Sequence, residues 1–241
     1  MHAVSSELQQ YTTGLTNEIS RGHFVEAVQL GEKALAMEEL RDEGNELLLG
    51  EVYRNMAAAS DRLGQTDAAL KYIDQAYDVH DMAVNKNYEA ETETLTLRER
   101  SATASYVGIF ALKACLLADG RDEALADKAR LMTRQAALDM AQVNQLSKEE
   151  NADQYEINMA SRWSMTESLV GDKQRGLALA GRAIQLAWQS ERDQQKGLTG
   201  RDILRARTRA ALRGMAAVAV NAASRFGATR GIAEKIALKT L

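Results

Sequence analysis

The chain of 241 residues contains no proline, 45% hydrophobic residues and 27% charged residues, and its formal net charge is −4. This composition, rich in Ala, Leu, Glu, Gln and Arg, favours an all-α protein built as one elongated array or two small domains. The single cysteine, Cys115, excludes an internal disulfide and favours a reducing compartment.

Targeting and membrane segments are not expected. The N-terminal residues MHAVSSELQQ have neither the basic start nor the apolar core of a signal peptide. No run approaches the roughly 18 uncharged apolar residues that a membrane-spanning helix needs. The sequence therefore predicts a cytoplasmic protein without a membrane-embedded part.

Charge is distributed unevenly along the chain. The first 120 residues hold 10 Lys and Arg against 20 Asp and Glu, whereas residues 121–241 hold 20 against 14. The last fifty residues hold 11 against 3. Such a dipole predicts either head-to-tail self-association into a homo-oligomer or a basic surface for an acidic partner.

The most informative stretch, residues 53–77, predicts two amphipathic helices joined by a tight turn. Apolar residues spaced by three and four place a hydrophobic stripe on each helix, so that the two stripes face each other. Gly64 is expected to end the first helix, and the hydroxyl of Thr66 to cap the second. The same spacing occurs earlier in the chain, at Gly22, Phe24, Ala27 and Ala34.

This hairpin resembles a tetratricopeptide repeat (TPR). Tyr53 stands at the large position of the first helix and Ala57 at the small one, followed by Gly64, Ala69 and Ala76. The chain departs from the family in two ways. A standard unit has about 34 residues, whereas the turn glycines of this chain are farther apart and unevenly spaced, and the usual tryptophan and proline are missing. Those glycines are Gly22, Gly64, Gly120, Gly171 and Gly227. The motif itself is confined to residues 8–80.

Extended over the whole chain, the resemblance implies an all-α, right-handed superhelix of about ten helices in five antiparallel hairpins. The expected single domain covers residues 1–241, with hairpins at about 6–40, 44–85, 88–146, 148–196 and 200–241. The fifth helix, residues 88–118, should begin as a solvated extension. From residue 102 it is apolar on all sides, which predicts a buried central helix, wrapped by the superhelix or covered by a second subunit.

No catalytic or cofactor motif is present. The three histidines are scattered, and the sequence lacks zinc-ligand spacings, phosphate-binding glycine loops and a nucleophile elbow. Cys115 lies in the apolar helix and is expected to be a buried, inert thiol. Five methionines at helical spacings are expected in the core: Met82, Met132, Met140, Met159 and Met165. The sequence therefore favours a non-enzymatic protein without cofactor or metal.

Two groups of residues are candidates for partner binding. In the register that the TPR resemblance implies, Glu51, Arg54, Asn55 and Arg62 point into a concave groove that takes a peptide. The arginines would bind a carboxylate, because a guanidinium offers a planar pair of donors. The alternative is that they are solvated residues paired with Glu51 and Asp61.

The second group is an arginine ladder with one arginine every fourth residue: Arg201, Arg205, Arg209 and Arg213. Like charges at this spacing cost a helix about 0.2–0.5 kcal/mol per pair. Acidic side chains of neighbouring helices, or water and salt, can offset that cost. So can an acidic partner such as nucleic acid, an acidic peptide or the negative half of another copy.

The function that this sequence favours is a TPR-like scaffold or adaptor that binds a protein or peptide in its groove. The alternative is a regulatory or accessory protein whose basic C-terminal helices bind nucleic acid or another polyanion. Steep salt dependence of binding would distinguish the second from the first, because each neutralised phosphate releases counterions.

Overall fold

A computed structural model of the protein describes residues 4–86, 90–118, 122–146, 152–194 and 218–223, and these residues form helices and connecting turns without a β-strand. The all-α prediction is confirmed over these ranges. Residues 218–223 are helical. The remaining elements are α1 (Ser6–Arg21), α2 (Phe24–Ala36), a 3-10 helix (Glu38–Arg41), α3 (Glu46–Arg62), α4 (Thr66–Val84), α5 (Ala90–Leu117), α6 (Glu123–Leu146), α7 (Ala152–Val170) and α8 (Lys173–Gln194).

The chain forms two compact units, residues 1–110 and 111–241, called unit 1 and unit 2 below. In unit 1, α1 packs on α2, α2 on α3 and α3 on α4, and α1 also touches α3. In unit 2, α7 packs against both α6 and α8. Helices adjacent in sequence are thus packed against each other within each unit, while the superhelix and the single domain over 1–241 stay predictions.

The first two hairpins share their turn geometry. Gly22 and Gly64 both adopt a left-handed backbone, with φ of 82° and 75°, which glycine reaches without steric cost. After each glycine, the next backbone N–H donates a 2.9 Å hydrogen bond back into the ending helix. The second helices α2 and α4 then begin at Phe24 and Thr66, equally far from their turn glycines. The equal spacing of the two turn glycines in the sequence therefore corresponds to equal turn geometry in the structure.

The core of unit 1 is apolar and tightly packed. Its completely buried side chains include Leu8 and Leu15 of α1, Leu40 of the 3-10 helix and Met56 of α3. Gly31 of α2 allows Met56 to approach, because a Cβ at Gly31 would lie 2.0 Å from the Met56 sulfur. Removing this apolar surface from water supplies the main stabilisation, about 25 cal/mol per Å² buried.

Several local expectations are corrected. Thr66 is the first residue of α4 and does not cap it; the capping position is Gln65, whose side chain makes no capping hydrogen bond. The second helix, which the sequence predicts from about His23 to Glu39, ends at Ala36, and a 3-10 helix follows from Glu38. Met82 is 61% exposed and so lies outside the core, whereas the other four methionines are buried as predicted.

Helix α5 matches its prediction in one half only. Most residues from 101 to 115 are buried on every side of the helix, although Tyr106 is 37% exposed. The first half is solvated only in part, because Glu93 and Leu95 are exposed but burial begins at Thr96. Thr96 and Leu97 are buried, Glu99 pairs with Arg54 of α3, and charged residues of this half therefore pack within unit 1. This part of α5 differs from the prediction because Glu99 is paired with an opposite charge on another helix, and the pattern along the sequence does not reveal such a partner.

In unit 2, α7 and α8 approach closely through small residues. A Cβ at Gly176 of α8 would lie 2.4 Å from the Ser168 hydroxyl, and Ser164 donates a 2.6 Å hydrogen bond to the Gly176 carbonyl. The segment 218–223 docks here, because the buried Asn221 donates to Ser168 and to a backbone carbonyl at the start of α8, both at 2.8 Å. Val220 and Asn221 of this segment are both buried.

Candidate functional site

The residues predicted for partner binding lie on α3, the first helix of the second hairpin. Arg54 and Arg62 are two turns apart, and Glu51 and Asn55 are one turn apart. Arg62 is exposed, whereas Glu51, Arg54 and Asn55 are partly buried. We call these four residues the α3 face. Their exposure differs because neighbouring helices cover part of the face.

Asn55 connects α3 to α1. Its side-chain amide donates a 3.3 Å hydrogen bond to the Thr16 hydroxyl, which itself donates to the Thr12 carbonyl at 3.2 Å. Because the Thr16 proton is used within α1, its oxygen serves as an acceptor toward α3. The first helices of the two hairpins therefore lie side by side and are joined through polar side chains. This contact is exposed, so a bound peptide can compete for the Asn55 amide.

Arg54 already has a carboxylate partner within the chain. Its guanidinium forms an ion pair with Glu99 of α5, and the two side chains are only 21% and 25% exposed. The partners expected from sequence were Glu51 and Asp61, because those residues are close to the arginines along α3. A contact across 45 residues has no signature in helical spacing. A ligand carboxylate would have to displace Glu99 to bind Arg54.

Arg62 is the available cation of the α3 face. It lies at the exposed end of α3, and among the residues that the structure describes it has no ion-pair partner. Its five N–H donors can bind a carboxylate in the planar, two-point geometry that a guanidinium allows. Of the two arginines on this face, Arg62 is therefore the better placed to bind a partner.

A buried polar cluster that the sequence analysis missed lies between α3, α4 and α5. His80 of α4 is fully buried, and its Nδ1 is 2.9 Å from the hydroxyl of Thr103. The ring fits against Gly50, where a Cβ would lie 2.1 Å from Nε2. Nε2 itself is buried without a hydrogen-bond partner among the described residues. We call His80, Thr103, Gly50 and the Arg54–Glu99 pair the His80 cluster.

The environment of His80 keeps its ring neutral. Burial, reinforced by the positive charge of Arg54, lowers the pKa of His80 from 6.5 to about 4, against the smaller opposing effect of Glu99. A second ion pair, Arg100 with Asp81 at 2.8 Å, joins α5 to α4 beside it. The two ion pairs and the contact between His80 and Thr103 hold α5 against α3 and α4, and they thereby fix the position of the helix that carries the α3 face.

Unit 2 has its own buried carboxylate, Glu167 of α7. It accepts hydrogen bonds from Arg130 of α6, Trp163 of α7 and the backbone N–H of Asp172, at 3.3, 3.2 and 2.9 Å, and Arg175 lies 3.8 Å away. A carboxylate with this many donors fits a structural role, since buried charges persist where they are paired and hydrogen-bonded. Glu167 fastens α6 and α8 to α7.

Cys115 and the arginine ladder are the remaining features that the sequence singled out. Cys115 is completely buried, and its sulfur donates to the Asp122 carbonyl at 3.4 Å, which confirms a buried thiol. The arginine ladder, residues 201–213, lies outside the described residues. Within the described ranges, no group of three or more His, Cys, Asp or Glu side chains is arranged to hold a metal ion. In the same ranges, every helix is too short or too polar to cross a membrane.

Comparison with known proteins gives no family assignment. The sequence matches no protein-family model, and no curated protein matches it either.

Proposed function

We propose that this protein is a non-enzymatic, TPR-like interaction scaffold of the cytoplasm that binds a protein or peptide segment on the α3 face. One observation carries the proposal. The first helices of the first two hairpins, α1 and α3, are in contact, and on the exposed side of that contact the Asn55 amide of α3 donates to the Thr16 hydroxyl of α1. Helical repeats use such a row of first helices as a preorganised binding surface.

The proposed binding mechanism follows from the exposure of the α3-face residues and from the partners that they already have within the chain. Arg62 binds a carboxylate of the partner, and the Asn55 amide exchanges its weak contact with Thr16 for a backbone carbonyl of the ligand. Arg54, held by Glu99, orders the surface and contributes a direct contact only when the ligand displaces Glu99. Because α1, α3 and α5 are already joined, little conformational entropy is lost on binding.

The test uses the full-length chain as bait in a nuclease-treated lysate of its native cell. Wild type is compared with Arg62→Glu and with Lys71→Glu, an exposed residue of α4 that makes the same change of charge on the second helix. Bound proteins are identified by mass spectrometry, and the affinity of the purified partner is then measured. Losing a charge-assisted hydrogen bond should weaken binding about tenfold or more in Arg62→Glu and leave Lys71→Glu unchanged. Equal binding by both variants would exclude the α3 face.

A second function rests on the sequence charge of the last fifty residues, 11 basic against 3 acidic. In this alternative, the arginine ladder binds nucleic acid or another polyanion. The double variant Arg205→Glu/Arg209→Glu should then lose a nuclease-sensitive partner. Affinity should also fall steeply with salt, because roughly one counterion is released for each phosphate neutralised. A partner that survives nuclease treatment and high salt would contradict this alternative.

A further inference from the structure

Unit 2 contains a small pocket between α6, α7 and α8, about 40 Å³ in volume. Its walls combine apolar groups with one ion pair: Leu138, Ala160, Trp163, Leu179, Glu156 and Arg182. A pocket of this size is too small for a cofactor and large enough for the end of one side chain or a few waters. We call it the α7 pocket.

The polar end of the α7 pocket is rich in hydrogen-bond acceptors. The carboxylate of Glu156 is buried, with only 12% of its side chain exposed. It accepts one hydrogen bond from the Asn144 amide and a long one, 3.5 Å, from Arg182. The Oδ1 atom of Asn144 is buried without a donor among the described residues. A carboxylate has about four lone-pair sites, so the site offers more acceptors than these residues supply donors.

Arg182 is a weak partner for Glu156. Its side chain is 60% exposed, so its guanidinium stays mostly in water while it reaches toward the pocket. Water screens a guanidinium that is mostly exposed and 3.5 Å from the carboxylate, so Arg182 contributes only a weak interaction to the pair. A better-placed cation can therefore displace Arg182 at small cost and leave it at the rim of the pocket.

The rest of the pocket suits an aliphatic chain. Leu138 and Leu179 form apolar walls, and the indole of Trp163 is fixed by its hydrogen bond to Glu167 at 3.2 Å. Leu138 is 50% exposed, so part of its side chain is accessible to a ligand. The arrangement therefore offers apolar walls that lead to a buried negative charge.

From this geometry, we propose that the α7 pocket binds a lysine side chain of a partner protein, with the aliphatic stem against Trp163 and Leu138 and the ammonium on Glu156. An ammonium carries three N–H donors and is compact, so it can donate to the lone pairs of the Glu156 carboxylate that remain free. The stem of a lysine is about four methylenes long and packs on apolar surface while its charged head is bound. An acidic side chain is excluded by repulsion from Glu156. This site belongs to unit 2 and does not depend on the α3 face.

The test titrates the full-length protein with Nα-acetyl-lysine methylamide and follows the two tryptophan indole N–H signals by NMR. The Trp188→Phe variant assigns the signals. The lysine probe should shift the Trp163 signal with saturation in the millimolar range. The Nε-acetylated probe, equal in stem but uncharged, should bind at least about tenfold more weakly, because the hydrogen bonds to a charged group are lost.

Two variants separate binding from folding. Glu156→Gln keeps the size of the side chain and should reduce lysine affinity about tenfold or more. Arg182→Ala removes the competing guanidinium and should raise the affinity by up to about fivefold. A purely structural role for the Glu156–Arg182 pair predicts the opposite sign for Arg182→Ala. Weaker binding by that variant, equal response to both probes, or no response to the lysine probe would each overturn the proposal.

Discussion

Protonation of His80 should destabilise unit 1 in mild acid. The neutral ring is buried against Gly50 and hydrogen-bonded to Thr103, with Arg54 and Glu99 as the charged groups of α3 and α5 that act on it. Its own helix contributes Asp81, which is held by Arg100 of α5. A proton on the ring would place a charge in a buried site, beside the guanidinium of Arg54.

The size and sign of the effect follow from the pKa. Because folding lowers the pKa of His80 from 6.5 to about 4, the unfolded chain binds the proton more readily. The stability contribution is therefore complete above pH 6.5 and is lost as pH falls from 6.5 to about 4. At about 1.4 kcal/mol per pKa unit, the expected losses are about 1 kcal/mol at pH 6, about 2 kcal/mol at pH 5 and about 3 kcal/mol at pH 4.

The assay is urea unfolding at pH 7, 6 and 5, followed by far-UV circular dichroism. Both tryptophans, Trp163 and Trp188, belong to unit 2, so tryptophan fluorescence recorded on the same samples follows that unit separately. Carboxylates whose pKa is lowered, such as Glu46 and Asp172, lose their contributions mainly below pH 4.5, outside this window.

A variant isolates the histidine. His80→Gln keeps an oxygen that can accept from Thr103 but cannot gain a proton, so its stability should change little between pH 7 and 5. Equal stability of the wild type at pH 7 and pH 5, or the same loss in His80→Gln, would refute the reasoning.

Three further predictions concern packing and capping, and each is measured by thermal and urea unfolding. Gly50→Ala places a Cβ 2.1 Å from the His80 ring and should destabilise unit 1 by about 1–3 kcal/mol. As a control, Gly181→Ala adds a Cβ that has no neighbouring atom within 4 Å and should stabilise its helix by about 0.5–1 kcal/mol. Equal effects of the two substitutions would contradict the close approach of Gly50 to His80. Glu167→Ala removes the carboxylate that Arg130 and Arg175 share and should lower the free energy of unfolding by about 3 kcal/mol, with a change in tryptophan fluorescence. An unchanged unfolding transition would mean that this carboxylate does not hold the helices together. Asp172→Ala removes the side-chain oxygen that accepts from the backbone N–H groups of residues 174 and 175, and it should lower the free energy of unfolding by about 1 kcal/mol. As a control, Asp127→Ala changes an exposed aspartate within α6 and should lower the free energy of unfolding less. The reverse order would contradict the capping role of Asp172.

Buried polar residues set the character of both units. Ser101, Thr103 and Ser105 on α5, and Ser161, Ser164 and Ser168 on α7, are all buried. Small hydroxyl-bearing residues let helices approach closely, and several of their hydroxyls donate to backbone carbonyls, as Ser161 does to Ile157 at 2.8 Å. A hydrophobicity pattern predicts such positions to face solvent. In α5, burial from residue 102 onward agrees with the prediction, whereas Thr96 and Ser101 are buried in the half that was expected to be solvated.

Local physics makes much of the fold predictable. Absence of proline, apolar periodicity and left-handed glycines act within a few residues, so the helices, the turns at Gly22 and Gly64 and the correspondence between the first two hairpins follow from sequence alone. Capping is local as well, and the same reasoning identifies Asp172 as a cap. Thr66 is misplaced by a single position, because a threonine at the start of a helix and one at the cap look alike in sequence.

Contacts between residues far apart in sequence are decided only by the tertiary structure. The pairs Asn55 with Thr16, Arg54 with Glu99, and Asn221 with Ser168 each join residues on different helices. No periodicity encodes such pairs, since a helix surface determines which side chains share a face but not which other helix will cover it. The same limit hides His80, whose burial depends on Gly50 of another helix. Sequence therefore determined which side chains share the α3 face, and packing between helices determined that Arg54 is already paired while Arg62 is exposed.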